Sequence, residues 1–317
     1  MSKRICRVFV AGHRGMVGAA VCRRLADDPH TAIITATRSE LDLTDRRSVD
    51  QFFDQNKIDT IIFAAARVGG IMANHTYPVE FLTDNISMAV NTISSAHEHH
   101  VPRLLFLGST CVYPRSCPQP IREESLLSGP LEPTNEAYAI AKIAGVKLCQ
   151  YYRRQYGAFY TSAMPTNLYG PGDNYHAENS HVLPGLMRRF HEAATRGDST
   201  VTIWGTGTPR REFLHVDDLA DALLHLIEVK DIPDWINVGT GRDVSILDLA
   251  HRIAEVVGFQ GRIVTDPSRP DGTPVKCTDV SRLTATGWQA RIDLEDGLRQ
   301  TFKAYLNETS SGVLRAV

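Results

Sequence analysis

Five short apolar runs recur along the first half of the chain: Ile5 to Ala11, Ala32 to Thr37, Thr60 to Ala65, Arg103 to Gly108 and Phe159 to Met164. Bounded runs of this length, rich in branched residues, are what a strand buried on both faces requires. Between them the apolar positions fall at helical spacing over Gly15 to Asp27, Arg46 to Asn56, Phe81 to His99 and Ala137 to Tyr156. Those segments are long enough for right-handed crossovers between parallel strands. The alternation predicts an α/β fold, a doubly wound parallel sheet of the Rossmann-like kind with helices on both faces.

The rhythm breaks after Asn167. YGPGDNY is dense in turn formers, and the residues beyond it mix helices with short strands such as Val201 to Trp204 and Trp235 to Val238. The expected division is a cofactor-binding domain over 1–167 and a smaller mixed α/β substrate-binding domain over 168–317. REFLHVDDLADALLHLIE reads as a strand and then a helix whose caps and first turn carry Asp217 and Asp218, so 212–233 is expected to return to the first domain. The final TSSGVLRAV is expected to form a loose tail.

Composition narrows the classes of function. With 317 residues, 43% of them apolar, the chain can bury a large core. A formal charge of −2 gives no positive field of the kind nucleic acid needs, although Arg188-Arg189 and Arg210-Arg211 leave room for small anions. The six cysteines are scattered without CxxC spacing, which implies free thiols, no structural metal and a reducing, cytoplasmic setting. No stretch approaches the roughly 20 apolar residues of a membrane span.

Candidate chemistry begins at AGHRGMVG, directly after the first strand. Gly12, Gly15 and Gly18 permit a tight turn, close backbone approach to a pyrophosphate, and exposure of the first helical N–H groups to its charge. Met16 lies in the same turn. At the end of the second strand, where an acidic residue would hold the ribose diol of NAD, the sequence is TATRSELDLTD. Arg38 there and Arg14 in the glycine turn favour a 2′-phosphate, hence NADPH, against the plainer alternative that Arg38 is a solvated surface residue. Asp42 and Leu43 are expected to border the adenine, and Ala65 and Ala66 to line the ribose and nicotinamide.

LLFLGSTCVYP ends a strand on the side where such sheets bind ligands. Read as extended, it projects Ser109 and Cys111 from one face; taken alone, Cys111 is equally a small buried hydrophobe. In YAIAK, Tyr138 and Lys142 are four residues apart on one helical face. The ammonium is expected to lower the tyrosine pKa toward working pH, so that the phenol gives a proton to a carbonyl oxygen as hydride arrives, with Ser109 donating to the same oxygen.

GHRGMVG, AAARVGGIMAN, LGSTCVYP, NEAYAIAK, PTNLYGPGDNY, SHVLPGLMRRFHEA and TPRREFLHVDD together resemble the extended short-chain dehydrogenase/reductase family over nearly the whole chain. The branch it looks most like epimerises GDP-4-keto-6-deoxy-D-mannose at C3 and C5 and then reduces the C4 ketone with NADPH to GDP-L-fucose. The resemblance implies a homodimer, for which the long helical segments Phe81 to His99 and Ala137 to Tyr156 offer a symmetric interface unless they pack within one chain, and it implies Cys111 as base and His181 as acid of the epimerisations. It also implies a GDP-sugar whose diphosphate Arg189 and Arg211 contact; from their places along the chain, Asn167 beyond the strand ending in MPTN is expected at the hexose or first phosphate, Trp204 on the guanosine side and Asp271 of SRPDGTPVK at the substrate, with Lys276 a weaker contact. A 4-epimerase, a 4,6-dehydratase and a cofactor sensor without turnover are the rivals on the same framework. The first has no need of Cys111 and His181, the second would carry acidic residues where Thr110 and Cys111 stand, and the third needs no tuned proton donor.

Overall fold

The computed structural model describes residues 6–269 and 271–316, so Ile5 of the first expected strand lies outside the described residues. The chain opens with β1 (Cys6–Ala11), α1 (Met16–Leu25), β2 (Thr31–Ile34), α2 (Arg46–Gln55) and β3 (Thr60–Phe63). It continues through α3 (Ile71–Thr76), α4 (Pro78–Glu98), β4 (Arg103–Leu107), α5 (Glu136–Tyr156) and β5 (Phe159–Pro165). Next come β6 (Asn167–Tyr169), α6 (Val182–Arg196), β7 (Thr200–Trp204), β8 (Arg210–His215), α7 (Val216–Glu228) and β9 (Trp235–Val238). The last elements are β10 (Asp243–Ser245), α8 (Ile246–Val257), β11 (Arg262–Asp266), β12 (Val275–Lys276), α9 (Ser281–Ala285) and α10 (Leu294–Ser310).

The main sheet is parallel, in the order β2-β1-β3-β4-β5-β9. Its strands feed two cores by alternation. Phe9, Ile61, Phe63, Leu104 and Phe106 meet Val49, Phe53, Ile93 and Val146 of α2, α4 and α5 on one face. Val8, Val10, Ile62 and Leu105 meet Val21 of α1 and Leu219 and Leu223 of α7 on the other. Chain direction across the sheet reverses between β1 and β3, so a crevice opens at their carboxyl ends.

Three sequence expectations change here. The strand at Trp235 to Val238 does not belong to the second half: it completes the main sheet beside β5, with Ile236, Asn237 and Val238 fully buried. Without it the edge of β5 would present unpaired backbone groups. The cap of α7 is His215, whose ring Nδ1 accepts from the Asp217 N–H at 3.3 Å. Asp217 instead pairs with Arg23 of α1 at 2.7 Å, an exposed contact that adds little beside the apolar packing of the two helices. The C-terminal segment is docked: the Arg315 carbonyl accepts from Tyr175 N–H at 2.8 Å, and Leu314 packs on the core of the smaller lobe. That contact ties the end of the chain to the turn-rich segment it was expected to leave free.

The smaller lobe is mixed. β8 pairs antiparallel with β10 and parallel with β6 and β12, while β7 and β11 form a separate parallel pair. Its core joins Leu186 and Phe190 of α6, Leu249 and Ile253 of α8, and Leu298 and Tyr305 of α10.

Candidate active site

At the crevice, Gly12 has φ +86°, a backbone state that side chains resist, and a Cβ there would lie 2.8 Å from the Ala65 backbone. The glycine therefore brings the ends of β1 and β3 into contact. A Cβ on Gly18 would fall 2.2 Å from the Gly12 carbonyl oxygen, so the third glycine lets α1 close on the turn. Asp45, Ser245 and Asp293 cap α2, α8 and α10 with side-chain oxygens, whereas α1 begins at Gly15 with no side-chain cap. Its first N–H groups are left for an anion. Met16 lies at that helix start, with Gly172 of the second lobe packed over it.

Arg14 and Arg38 are both exposed around this turn. Asp42 is half-buried, and its Oδ1 accepts from the Thr44 N–H at 2.9 Å and hydroxyl at 2.7 Å. Those bonds, and Arg38 behind them, hold its carboxyl below the usual range. Leu43 is buried beneath, and Ala65 and Ala66 are half-buried beyond β3. An acidic group missed in the sequence also stands here. Glu40 accepts from the Thr37 N–H and hydroxyl, both at 2.7 Å, and these lower its pKa with help from Arg14.

The candidate reacting residues begin just beyond β4. Ser109 and Cys111 come together by a different route from the one expected. Thr110–Val112 is a single 3-10 turn, and Ser109 caps it by accepting from the Cys111 N–H at 3.3 Å. Cys111 is buried, which pushes its thiol up; Lys276 opposes this most, then Ser109 and Lys142. On α5, Lys142 is buried, donates to the Leu107 carbonyl at 2.7 Å, and lies 5.7 Å from the Tyr138 ring centre.

The expected lowering of the Tyr138 pKa is absent. Tyr138 keeps partial exposure at the cleft, but protein crowds its hydroxyl and desolvation pushes the pKa above the usual tyrosine value. The Lys142 charge is engaged at the Leu107 carbonyl, and burial brings its own pKa down to about 8. His181 precedes α6 without capping it, so its side chain is not consumed by the helix start. It is exposed, yet crowding of the ring and then Lys276 lower its pKa, which disfavours the imidazolium expected from the sequence.

The residues expected on the substrate side fall on β6, α6, β7, β8 and the loop after β11. Asn167 Nδ2 donates to the Glu212 carbonyl at 2.8 Å. Arg189 donates to the Gly185 and Thr202 carbonyls at 3.3 and 3.1 Å, and Arg211 to that of Thr273 at 2.6 Å. Trp204 is 61% exposed, with the Arg269 guanidinium 5.2 Å from its ring centre, so a planar face is available. Asp271 accepts from the Thr206 N–H at 2.9 Å and hydroxyl at 2.7 Å, closing the loop beside Trp204.

A family model described as the NAD dependent epimerase/dehydratase family matches residues 8–239. The chain belongs to that family. It is 54% identical over 306 residues to GDP-L-fucose synthase 1 of Arabidopsis thaliana, covering 96% of this chain and 95% of the relative. It is 53% identical over 315 residues to the GDP-L-fucose synthase of Escherichia coli strain K12, covering 96% and 98%. A crystal structure of a GDP-L-fucose synthetase from Naegleria fowleri bound to NADP matches with a TM-score of 0.89 at 28% identity, over 98% of this chain and 96% of that one.

Within this epimerase/dehydratase framework, the residue that sequence reasoning underweighted is Lys276. It pairs in register with Arg211 through β12 and β8, and its charge acts on both Cys111 and His181. Only the strand pairing brings them together; nothing in SRPDGTPVK announces it. Among the described residues no group of His, Cys, Asp and Glu is placed to hold a metal ion, and no helix is long and apolar enough to cross a membrane.

Proposed function

We propose that the protein converts GDP-4-keto-6-deoxy-D-mannose to GDP-L-fucose, by epimerisation at C3 and C5 and reduction at C4 with NADPH. The observation that carries the reading is Cys111 seated beside Ser109, within reach of the charges of Lys142 and Lys276. A simple reductase or 4-epimerase needs the serine, tyrosine and lysine but has no work for that thiol. The names of the relatives at 53–54% identity point the same way.

The blocked Cβ positions of the glycine turn and the uncapped start of α1 fit a dinucleotide pyrophosphate. We assign NADPH to Gly12, Gly15, Met16 and Gly18, its 2′-phosphate to Arg14 and Arg38, its adenine to Asp42 and Leu43, and its nicotinamide side to Ala65, Ala66, Tyr138 and Lys142. When bound, NADPH supplies the hydride. Ser109 and Tyr138 donate hydrogen bonds to the C4 oxygen, and that polarisation acidifies the protons on C3 and C5. In each epimerisation the Cys111 thiolate takes the ring proton and protonated His181 delivers one to the opposite face; between the two, Cys111 gives its proton to solvent and His181 takes one back. A lowered pKa makes His181 the stronger donor once protonated. Tyr138, held neutral by burial, keeps its proton until the ketone is reduced. Arg189 and Arg211 take the diphosphate, Trp204 and Asp271 the guanosine side, and Asn167 the hexose.

The division we favour gives the cofactor to residues 1–167 with α7 and β9 returning over 216–238, since residues 212–215, expected to return as well, pair within the smaller lobe's sheet, and it gives the sugar nucleotide to the rest. The active form is a homodimer: α4 and α5 run side by side, and Val90, Ile140 and Tyr151 stand exposed on them. Light scattering is expected to give twice the chain mass. Six free thiols suit a cytoplasmic site of action.

The reaction is tested with pure protein, NADPH and GDP-4-keto-6-deoxy-D-mannose in deuterated water, following cofactor absorbance and reading the product by NMR. Deuterium at both C3 and C5 of a GDP-fucose product is expected, with faster turnover on NADPH than on NADH. Reduction without label at either carbon would leave a plain 4-reductase and remove Cys111 and His181 from the chemistry.

A further inference from the structure

Glu212 stands in β8 next to Arg211, and its side chain is fully buried. Its carboxylate collects donors from two segments remote in sequence. Oε1 accepts from the N–H groups of Thr240 at 2.6 Å and Gly241 at 2.8 Å. Oε2 accepts from both the N–H and the hydroxyl of Thr278 at 2.7 Å. A Cβ on Gly239 would fall 2.1 Å from Oε1, so the turn closes on the carboxylate because residue 239 has no side chain. The Glu212 carbonyl, in turn, holds Asn167.

A buried carboxylate is tolerated only when its lone pairs are filled, and here the filling groups come from the pieces that build the substrate side. β12 is short: Val275 and Lys276 alone pair with β8. The bonds from Thr278 to Glu212 extend that grip beyond Lys276. Across from β8, the Cys277 carbonyl accepts from Ile121 N–H at 2.8 Å, and the Cys277 N–H donates to Gln119 Oε1 at 2.9 Å. The strand is thus wedged between β8 and the segment that follows the Ser109–Val112 turn.

We propose that Glu212 is a positioning residue for the epimerisation: by clamping Thr278 it fixes β12 so that the Lys276 ammonium is held at Cys111. The proposal rests on Cys111 being the base. The groups acting on that thiol are Lys276 from β12, Lys142 and Tyr138 from α5, and Ser109 from its own turn. Arg211, Cys117, Glu132 and His181 surround Lys276 as well. Lys276 is the first of the charges favouring the thiolate; burial lowers its own pKa while the Cys111 thiolate supports its ammonium, so a displacement of β12 weakens the pair and is read at Cys111.

The test is a pH titration of the Cys111 13Cβ chemical shift in the free protein, assigned with Cys111→Ser. Lys276→Met is expected to raise the midpoint by about one pH unit. Glu212→Gln, whose amide turns donors against donors, and Thr278→Val, which deletes one hydroxyl, are expected to raise it in the same direction, by about 0.3 unit or more. Loss of the Glu212 charge alone would lower the midpoint, so a rise reports displaced Lys276. The Glu212→Gln/Lys276→Met double variant should rise no further than Lys276→Met. An unchanged or lowered midpoint in Glu212→Gln and Thr278→Val overturns the proposal, as does no rise in Lys276→Met. Should Glu212→Gln not fold, Thr278→Val decides. No sugar nucleotide is used, so failure of the assigned reaction in deuterated water is seen separately from failure of the clamp.

Discussion

Replacing Tyr138 with phenylalanine is expected to lower kcat for ketone-dependent NADPH oxidation by about 10²–10⁴-fold, the span a positioned general acid contributes. The ring stays: its edge contact with Phe81, centroids 6.4 Å apart, and its place near Lys142 do not involve the hydroxyl. Folding and NADPH affinity, read by thermal melting and cofactor fluorescence, should therefore change little. Deuterium entry at C3 and C5 should fall as well, because the same hydroxyl polarises the C4 oxygen. The pH dependence has a definite sign. Burial holds the Tyr138 proton above the usual tyrosine range, so the donor is fully protonated at neutral pH. Lys142, brought down to about 8, loses its charge as pH rises through that value, and kcat/KM for the wild-type protein is expected to decline above it.

The second large effect separates the two chemistries. In Cys111→Ala, deuterium incorporation at C3 and C5 is expected to drop by about 10²–10⁴-fold, the worth of a general base, while Ser109, Tyr138 and Lys142 remain in place. NMR of the product should then show a C4 alcohol with C3 and C5 unlabelled. The fold should survive, since one buried sulfur is removed from a large core, at a cost of about 1–2 kcal/mol. Wild-type exchange should rise with pH while His181 stays protonated, because burial leaves most of Cys111 protonated and only the thiolate can act, and should level off once His181 loses the proton it must return. Equal labelling in Cys111→Ala and wild type would remove the thiol from the mechanism.

The strands and long helices of the first half could be read along the chain because each carries its own signal, whereas the six-residue α3 is too short to show a period. Short branched runs between amphipathic segments identify parallel strands, and the glycine spacing marks the place where β1 turns into α1. The same local logic placed Tyr138 and Lys142 on one face of α5. It misled where a short stretch had two conformations open to it. GSTCV reads as the end of a strand, yet the Ser109 hydroxyl accepts from the Cys111 N–H and turns the chain, so the pair meet through a cap. Trp235 to Val238 has the composition of any short strand, and the exposed edge of β5 decided which sheet it joined. The tail looked unattached because its partners, Tyr175 and the smaller lobe's core, are far away in sequence.

By itself the sequence determined the doubly wound sheet and the glycine turn, and singled out the side chains we assign to the chemistry, since these depend on periodicities of two and 3.6 residues and on residue chemistry. The tertiary structure alone decided their electrostatics. Tyr138 is raised by burial and then by Cys111, while the Lys142 ammonium is engaged at the Leu107 carbonyl, and Lys276 reaches Cys111 and His181 because Glu212 and the pairing of β12 with β8 carry it there. A pKa is set by everything packed around a group, and most of what surrounds Cys111 comes from segments distant in the chain.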